Sequence, residues 1–379
     1  MIENISGFVG SAFGYLIPFL LVLTVVIFIH ELGHFLVARW AGVRVLVFSI
    51  GFGPELLGRT DRHGTRWRIA AIPLGGYVRF LGDANAASGT DHEAIEQMSD
   101  RARSETFAAA SLPRRAAIVA AGPFANFILA VALFAGIFAF VGRPVTDARI
   151  DTVQEGSPAA TAGFQPGDII LSINGDAISS FAELQRVVSS NADRALGVTV
   201  QRSDGQVQLN VTPERREVED GFGNKMNIGV LGITRSFEDG DIQRVYAGPV
   251  EAVKLGMGET WFVVTRTLDY IGGLFSGRES TDQLSGPIRI AQVSGQAATV
   301  GAAALIQLMA VLSVSIGLLN LFPIPMLDGG HLVFYAIEAV RGRPLSERIQ
   351  EYGMRIGVAL VLMLMIVATS NDIAHLWSL

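Results

Sequence analysis

The chain contains no cysteine. That absence excludes disulfide frameworks, thiolate zinc sites, iron–sulfur clusters and cysteine nucleophiles, so any metal has to be held by His, Asp or Glu. Charge is scarce as well: 17% of the 379 residues are charged, against roughly 25% in soluble domains. With a mean hydropathy of +0.41, a purely soluble enzyme does not fit. There is no basic excess, and a net charge of −6 leaves no footprint for nucleic acid. Half of the residues are hydrophobic and the 42 glycines follow no triplet period, which excludes disordered and collagen-like chains.

What is present is long apolar sequence. Uncharged runs cover 4–29, 116–142 and 290–327, each above the roughly 20 residues that cross a bilayer. A shorter run at 356–371 is apolar enough to span with a turn added before it. Four transmembrane helices are expected, the first a retained span rather than a cleaved signal peptide, because no Lys or Arg precedes it. Orientation follows from the basic residues of the loops. Residues 39–115 hold eleven Arg against eight acids, and Arg341, Arg343, Arg348 and Arg355 lie between the last two spans, whereas 143–288 hold thirteen basic and twenty acidic residues. Both termini and 143–288 are therefore expected outside a bacterial inner (plasma) membrane, with 39–115 and 341–355 inside.

The expected order is a first transmembrane helix over 1–42, a re-entrant β-loop over 43–82 and a cytoplasmic polar loop over 83–115. A second transmembrane helix over 116–142, a PDZ-like domain over 143–235 and an amphipathic interfacial linker over 236–289 come next. A third membrane segment over 290–331, a cytoplasmic loop over 332–351, a fourth transmembrane helix over 352–371 and an outer tail over 372–379 complete it. The stretch 43–82 has β character and several glycines, and its part 69–74 is too apolar for a solvated loop and too short to span. Non-helical backbone lies at membrane depth only when buried in protein or lining a wet cavity, so a re-entrant hairpin fits. Within 143–235, alternating runs such as Ile169–Ile173 are separated by Asn174-Gly175 and Asp204-Gly205 turns, with one helix starting at a Ser180 cap. The string Gly156-Ser157-Pro158, Gly163-Phe164-Gln165-Pro166-Gly167-Asp168-Ile169 and Asn174-Gly175 resembles a bacterial PDZ domain. That resemblance implies a groove that holds a peptide C-terminus by strand addition, with Gly229, Val230 and Leu231 as its carboxylate loop; a steric cap without ligand is the alternative.

The first span ends in His30-Glu31-Leu32-Gly33-His34. On a helix, positions i and i+4 share a face, so both imidazoles can hold one zinc ion while Glu31 serves as general base. Such a pentapeptide arises by chance in roughly one chain in two hundred of this composition. Ionisable groups beside bilayer helices are costly unless paired or coordinated, which makes the cluster a functional candidate by default. For a third ligand, Trp40 stands six residues after His34 where a metzincin-type histidine would be, and Glu55 follows a run of helix breakers. Asp328 is the better candidate: it ends the uncharged run 290–327, just after Pro323 and Pro325 must break the helix. Asn320 is a candidate for binding substrate backbone, Asn126 is assigned to packing, and His331 to an interfacial or supporting position. Because a helical substrate hides its carbonyls, Ile69, Ala70, Ala71, Ile72, Pro73 and Leu74 are candidates for clamping an unwound substrate by strand addition.

Together, HELGH in the first span, Gly122–Phe127 (GPFANF) in the second, NLFPIPMLDGG at 320–330 and a PDZ-like insertion resemble the site-2 protease family of intramembrane zinc metalloproteases, in its regulator-of-sigma-E protease branch. The resemblance covers nearly the whole chain, with room for one PDZ domain where some members carry two. It implies one zinc ion held by His30, His34 and Asp328, Glu31 as catalytic base, and an outer domain that filters substrates. Implied substrates are single-span membrane proteins, such as a pre-cut anti-sigma factor or remnant signal peptides. A metal transporter and a membrane-anchored PDZ scaffold are the rival classes. Four spans without an inverted repeat argue against the first, and the His-Glu-His-Asp set is unexplained by the second.

Overall fold

The computed structural model describes residues 2–83, 91–219, 225–236, 243–278, 280–281 and 284–378. They divide into two compact units, Met1–Ile137 with Val250–Leu379, and Phe138–Pro249. Among the described residues, four helices are long and apolar enough to cross a membrane: Gly14–Trp40, Leu112–Val141, Ala302–Asn320 and Arg348–Trp377.

Helix α1 (Ile2–Trp40) leads into β1 (Val45–Thr60) and β2 (Arg66–Phe80). Each strand is bent where a glycine adopts a positive φ, β1 at Gly51 (+86°) and β2 at Gly75 (+130°). The bends turn two strands into a four-segment sheet. Residues 45–50 pair antiparallel with 76–80 (Val45 with Phe80, Ile50 with Gly76) and, advancing in the same direction, with 66–69 (Phe48 with Trp67, Ile50 with Ile69). Residues 55–60 then pair with 66–70 (Leu57 with Ile69, Thr60 with Arg66), which leaves 76–80 and 55–60 as the outer segments. The sheet is seated on the end of α1 through Phe35, Ala38, Phe48, Val78 and Phe80, with Phe48 stacked on Trp67. Phe52, Leu56, Leu57, Ile72 and Leu74 stay exposed.

Short helices α2 (His92–Glu96) and α3 (Asp100–Ser104) follow, each started by an acidic or hydroxyl cap, Asp91 and Ser99. Helix α4 (Leu112–Gly136) begins four residues before the expected 116, because Ser111 stands at its N-cap and Pro113 fits the first turn. A π-turn over Ile137–Val141 extends it.

The second unit is the β-rich domain that the alternating runs predict. It contains β3 (Arg143–Val145), β4 (Thr152–Val153), α5 (Pro158–Ala162), β5 (Ile169–Ile173), β6 (Asp176–Ala177), α6 (Phe181–Ser190), β7 (Leu196–Arg202), β8 (Gly205–Val211), β9 (Glu214–Glu219), β10 (Lys225–Val230), β11 (Ile233–Thr234) and β12 (Gln243–Val245). Strands run in the order β6-β5-β7-β8, with separate pairs β9–β10, β4–β11 and β3–β12. Ile150, Ile170, Leu184, Val198, Val200 and Leu231 fill the core. Buried Asp168 is neutralised by Arg202, which donates to both its oxygens at 2.6 and 2.9 Å. Gly229 and Val230 finish β10, and Leu231 is in the core, its carbonyl accepting from Ala159 N.

In the first unit again, α7 (Pro249–Phe275) falls in the expected amphipathic stretch and exposes Val250, Met257, Trp261 and Phe275. The expected third membrane segment is not continuous. Gly301 (φ +135°) divides it into α8 (Pro287–Val300) and α9 (Ala302–Asn320), and only α9 meets the length and hydropathy of a span. The expected loop 332–351 is also mostly helical: α10 (Asp328–Arg341) fills its first half and α11 (Glu347–Ser378) starts within it. A Pro-rich break is followed by the largely apolar DGGHLVFYAIEAVR, with Asp328 in its first turn and Gly342 as its C-cap, and this starts a new helix there rather than a loop. Helix α11 is tied to α8 by Asp372, whose carboxylate accepts from Gly286, Ile288 and Arg289 amides at 2.8–3.1 Å.

Candidate metal centre

His30 and His34 lie one turn apart on α1, and Asp328 is the first residue of α10. The chain therefore reaches one point from two elements almost 300 residues apart in sequence. Nε2 of His30 and Nε2 of His34 are 3.2 Å apart, and Asp328 Oδ2 is 3.2 Å from the first and 3.6 Å from the second. These atoms form a nearly equilateral triangle. Ligand atoms about 2.0–2.1 Å from a tetrahedral zinc ion stand about 3.3–3.4 Å from one another, so the triangle has the size of one face of such a site. The donors are also left ready. Asp328 Oδ2 is buried and makes no hydrogen bond among the described residues, although both imidazoles reach it. A three-residue set of this kind, within 4.8 Å and able to hold a metal ion, is found among the described residues only here.

The far sides of both rings are fixed by α4. His34 donates from Nδ1 to the Ile118 carbonyl at 2.8 Å, which leaves the lone pair of Nε2 free. The fully buried Asn126 amide stands 3.3 Å from Nδ1 of His30. Amide oxygen and nitrogen share one outline, and with Oδ1 turned to His30 the carboxamide accepts the Nδ1 proton and frees Nε2 in the same way. Between these two contacts, Gly122 makes room for the rings: a Cβ there would lie 2.2 Å from His34 Nε2 and 2.9 Å from His30 Cε1.

Glu31 is turned one residue round α1 from the imidazoles. It takes a hydrogen bond from the Val78 backbone, and a Cβ on Gly76 would lie 3.1 Å from its Cγ. The outer segment 76–80 of the sheet thus runs directly over the Glu31 side chain. The loop that delivers Asp328 holds Pro323, Pro325 and Met326, the last at φ +96°, a conformation that non-glycine residues adopt only when their surroundings impose it.

The other expected site residues fall elsewhere. Asn320 donates back to its own helix at Ile316 O (3.1 Å). Ile69 and Ala70 belong to an inner segment of the sheet, Ile69 exposed and Ala70 buried, while Ala71, Ile72 and Leu74 are exposed and Pro73 half-buried on the way to the outer segment 76–80. Glu55 is held by Arg66 and has no part in the cluster. His331 follows Asp328 by one turn and packs edge-on against Phe334. Asn126, for which the sequence favours packing over a substrate contact, is fully buried and also reaches His30. The sequence did carry a signal for it: Gly122 and Asn126 sit four residues apart in GPFANF, at the spacing of one helical face.

Comparison with known proteins agrees with this geometry. The model of Peptidase family M50 matches residues 18–364. A protein of Agrobacterium fabrum, provisionally named zinc metalloprotease Atu1380, is 51% identical over 99% of both chains. The Metalloprotease MmpA of Caulobacter vibrioides is 40% identical over 94% of this chain and 95% of its own. A solved PDZ domain of the SdrC-like protein of Listeria monocytogenes is 22% identical and covers 24% of this chain and 86% of its own, at a TM-score of 0.19. With a metal-sized donor triangle inside a family match that spans most of its length, the chain belongs to peptidase family M50, the site-2 protease family, and is a zinc metalloprotease.

Proposed function

We propose that this metalloprotease cleaves single-span membrane proteins within the bilayer, as a step of regulated intramembrane proteolysis. The observation that carries the reading is the position of the donor triangle: His30 and His34 belong to the apolar helix Gly14–Trp40, long enough to cross a membrane. His30, His34 and Asp328 would hold zinc, which when bound polarises a peptide carbonyl and acidifies an attacking water. Glu31 would accept the proton of that water at its carboxylate and return it to the leaving amine. The Val78 amide would orient the Glu31 carboxylate.

A transmembrane helix presents no free carbonyl, so it must unwind before hydrolysis. The outer segment 76–80 supplies a strand edge beside Glu31, and the exposed Ile72 and Leu74 lead to it, so an unwound substrate would pair along this edge as an added strand. The sheet carries exposed apolar side chains at the Gly51–Leu57 bend, where Glu55 is paired with Arg66 and the Gly53 carbonyl accepts from Arg68, and two further arginines, Arg59 and Arg62, toward the β1–β2 turn. That arrangement suits a re-entrant sheet with its apolar bend in lipid and its turn at the cytoplasmic headgroups.

In this reading the protein lies in a bacterial inner membrane with the β-rich unit outside, where its PDZ-like groove receives a peptide C-terminus at Gly229, Val230 and Leu231. Asn320 would contact substrate backbone from the end of α9.

The experiment is reconstitution with a tagged single-span substrate. Wild-type protein cleaves it, while Glu31→Gln and zinc-chelated wild type do not. Unchanged cleavage in both would overturn the proposal.

A further inference from the structure

The three donor side chains arrive on α1 and α10, but their supports come from a third element. Arg115, Ile118, Gly122 and Asn126 follow one another at spacings of three, four and four residues on α4, so they form one stripe of its surface. The stripe meets His34 at the Ile118 carbonyl, clears both rings at Gly122 and meets His30 at Asn126. Its remaining member, Arg115, reaches α10. The guanidinium donates from Nη2 to Glu338 Oε1 at 2.6 Å, with both side chains mostly buried, at 17% and 15% exposure. It lies 5.1 Å from the Tyr335 ring centre and donates from Nε to Ala110 O at 3.2 Å, which fixes the arginine at the start of its own helix.

Helix α10 needs such an anchor. Asp328 stands in its first turn after a loop with two prolines, and its N-cap, Leu327, offers no side-chain hydrogen bond. Its first turn is seated on the preceding loop, where a Cβ on Gly329 would lie 2.3 Å from Leu321 O and one on Gly330 2.4 Å from Ile324 O, but the rest of the helix has to be held as well, because a shift of one residue, about 1.5 Å, would carry Asp328 out of the donor triangle. Asp328, Tyr335 and Glu338 share a stripe of α10 by the same spacing rule, so the face that presents the carboxylate to the imidazoles also presents its partners to Arg115. A buried ion pair adds little stability over apolar packing of the same volume, but it specifies register.

We propose that the Arg115–Glu338 pair, with Tyr335 against it, is a positioning device that sets α10 so that Asp328 meets His30 and His34. One helix face of α4 then aligns all three donors. The inference rests on reading those residues as the zinc site.

The test is zinc affinity of the full-length protein in detergent, by competition with a chelator, alongside helical content and thermal midpoint of the zinc-free form. Arg115→Ala and the isosteric Glu338→Gln weaken zinc binding about tenfold, within the range of outer-partner losses. Arg115→Lys falls between, and the swapped pair Arg115→Glu with Glu338→Arg recovers affinity. Cobalt replacing zinc reports geometry directly: its visible absorption changes in Arg115→Ala toward that of Asp328→Asn, and the two substitutions together cost less than the sum of each. A merely structural role lowers the thermal midpoint of the zinc-free form and leaves affinity and cobalt spectrum unchanged; that result, or wild-type affinity in Glu338→Gln, overturns the proposal. His30→Ala is the control. If it binds zinc like wild type, the reading of the zinc site itself is wrong, a failure distinct from that of the Arg115–Glu338 proposal.

Discussion

At position 122 a hydrogen atom stands where any other residue would place a carbon against two imidazoles. Gly122→Ala therefore tests the centre without touching a donor. Its Cβ would press on His34 Nε2 at 2.2 Å, so zinc content and cleavage fall by at least about tenfold, while the surface of α4 facing elsewhere is unaltered. Full zinc content in that variant would mean that the rings stand elsewhere in the working enzyme. Glu31→Gln should separate the two roles in HELGH: zinc is retained and turnover falls by about 10²–10⁴-fold, the span of general-base contributions. A third residue, Asp83, lies beyond the sheet and away from the spans. Burial pushes its carboxyl up to about 6, only partly offset by the Phe80 amide that donates to it and by Arg79. Since the folded-state value is above the unfolded one, near 3.9, the folded form prefers the proton, and ionisation weakens the fold progressively as pH rises from about 4 to 6. Asp83→Asn, which keeps an acceptor for Phe80 N, should raise the thermal midpoint at pH 7.5 by a few degrees, and the difference should close as pH falls below the folded value. An equal difference at both ends of the range would remove the charge from the explanation.

Elements differ in how plainly their sequence announces them. The HELGH helix, the GPFANF helix and the Asp328 motif were legible because each carries residues that are costly in a membrane unless they meet a partner. The β character of 43–82 was legible from its glycines and apolar runs, but its four-segment path was not, because pairing partners depend on where Gly51 and Gly75 bend rather than on alternation. The break at Gly301 was hidden inside an uncharged run, where composition is blind to a change of helix direction. Helix α10 replaces most of the first half of the expected loop for the complementary reason: charged residues at its end look like a solvated connection. The same element shows why α11 matters to the site. A Cβ on Gly357 would lie 1.6 Å from Pro325 O, in the loop that delivers Asp328, so the fourth span is fitted directly against that loop. Gly357→Ala should force α11 and the loop apart, lowering zinc affinity together with the thermal midpoint. If neither moves, α11 does not brace the loop.

For the whole molecule, the missing cysteine that limits the metal chemistry also makes the topology testable, because a single introduced thiol has no background. In the orientation expected from the eleven arginines of 39–115, the sheet lies inside and the β-rich unit outside, and the metal donors sit near the end of α1 that leads into the sheet. Two exposed positions separate the sides. His63 is in the turn between β1 and β2, and Asp204 is in the turn between β7 and β8. In intact spheroplasts a membrane-impermeant maleimide should label Asp204→Cys, and should label His63→Cys only after the membrane is opened. This bears on the proposed mechanism as well as address, because there an unwound substrate would meet the 76–80 edge and Glu31 from the side on which the sheet enters. Labelling of His63→Cys from outside would overturn this orientation and place the sheet, with the edge offered to an unwound substrate, on the outer face.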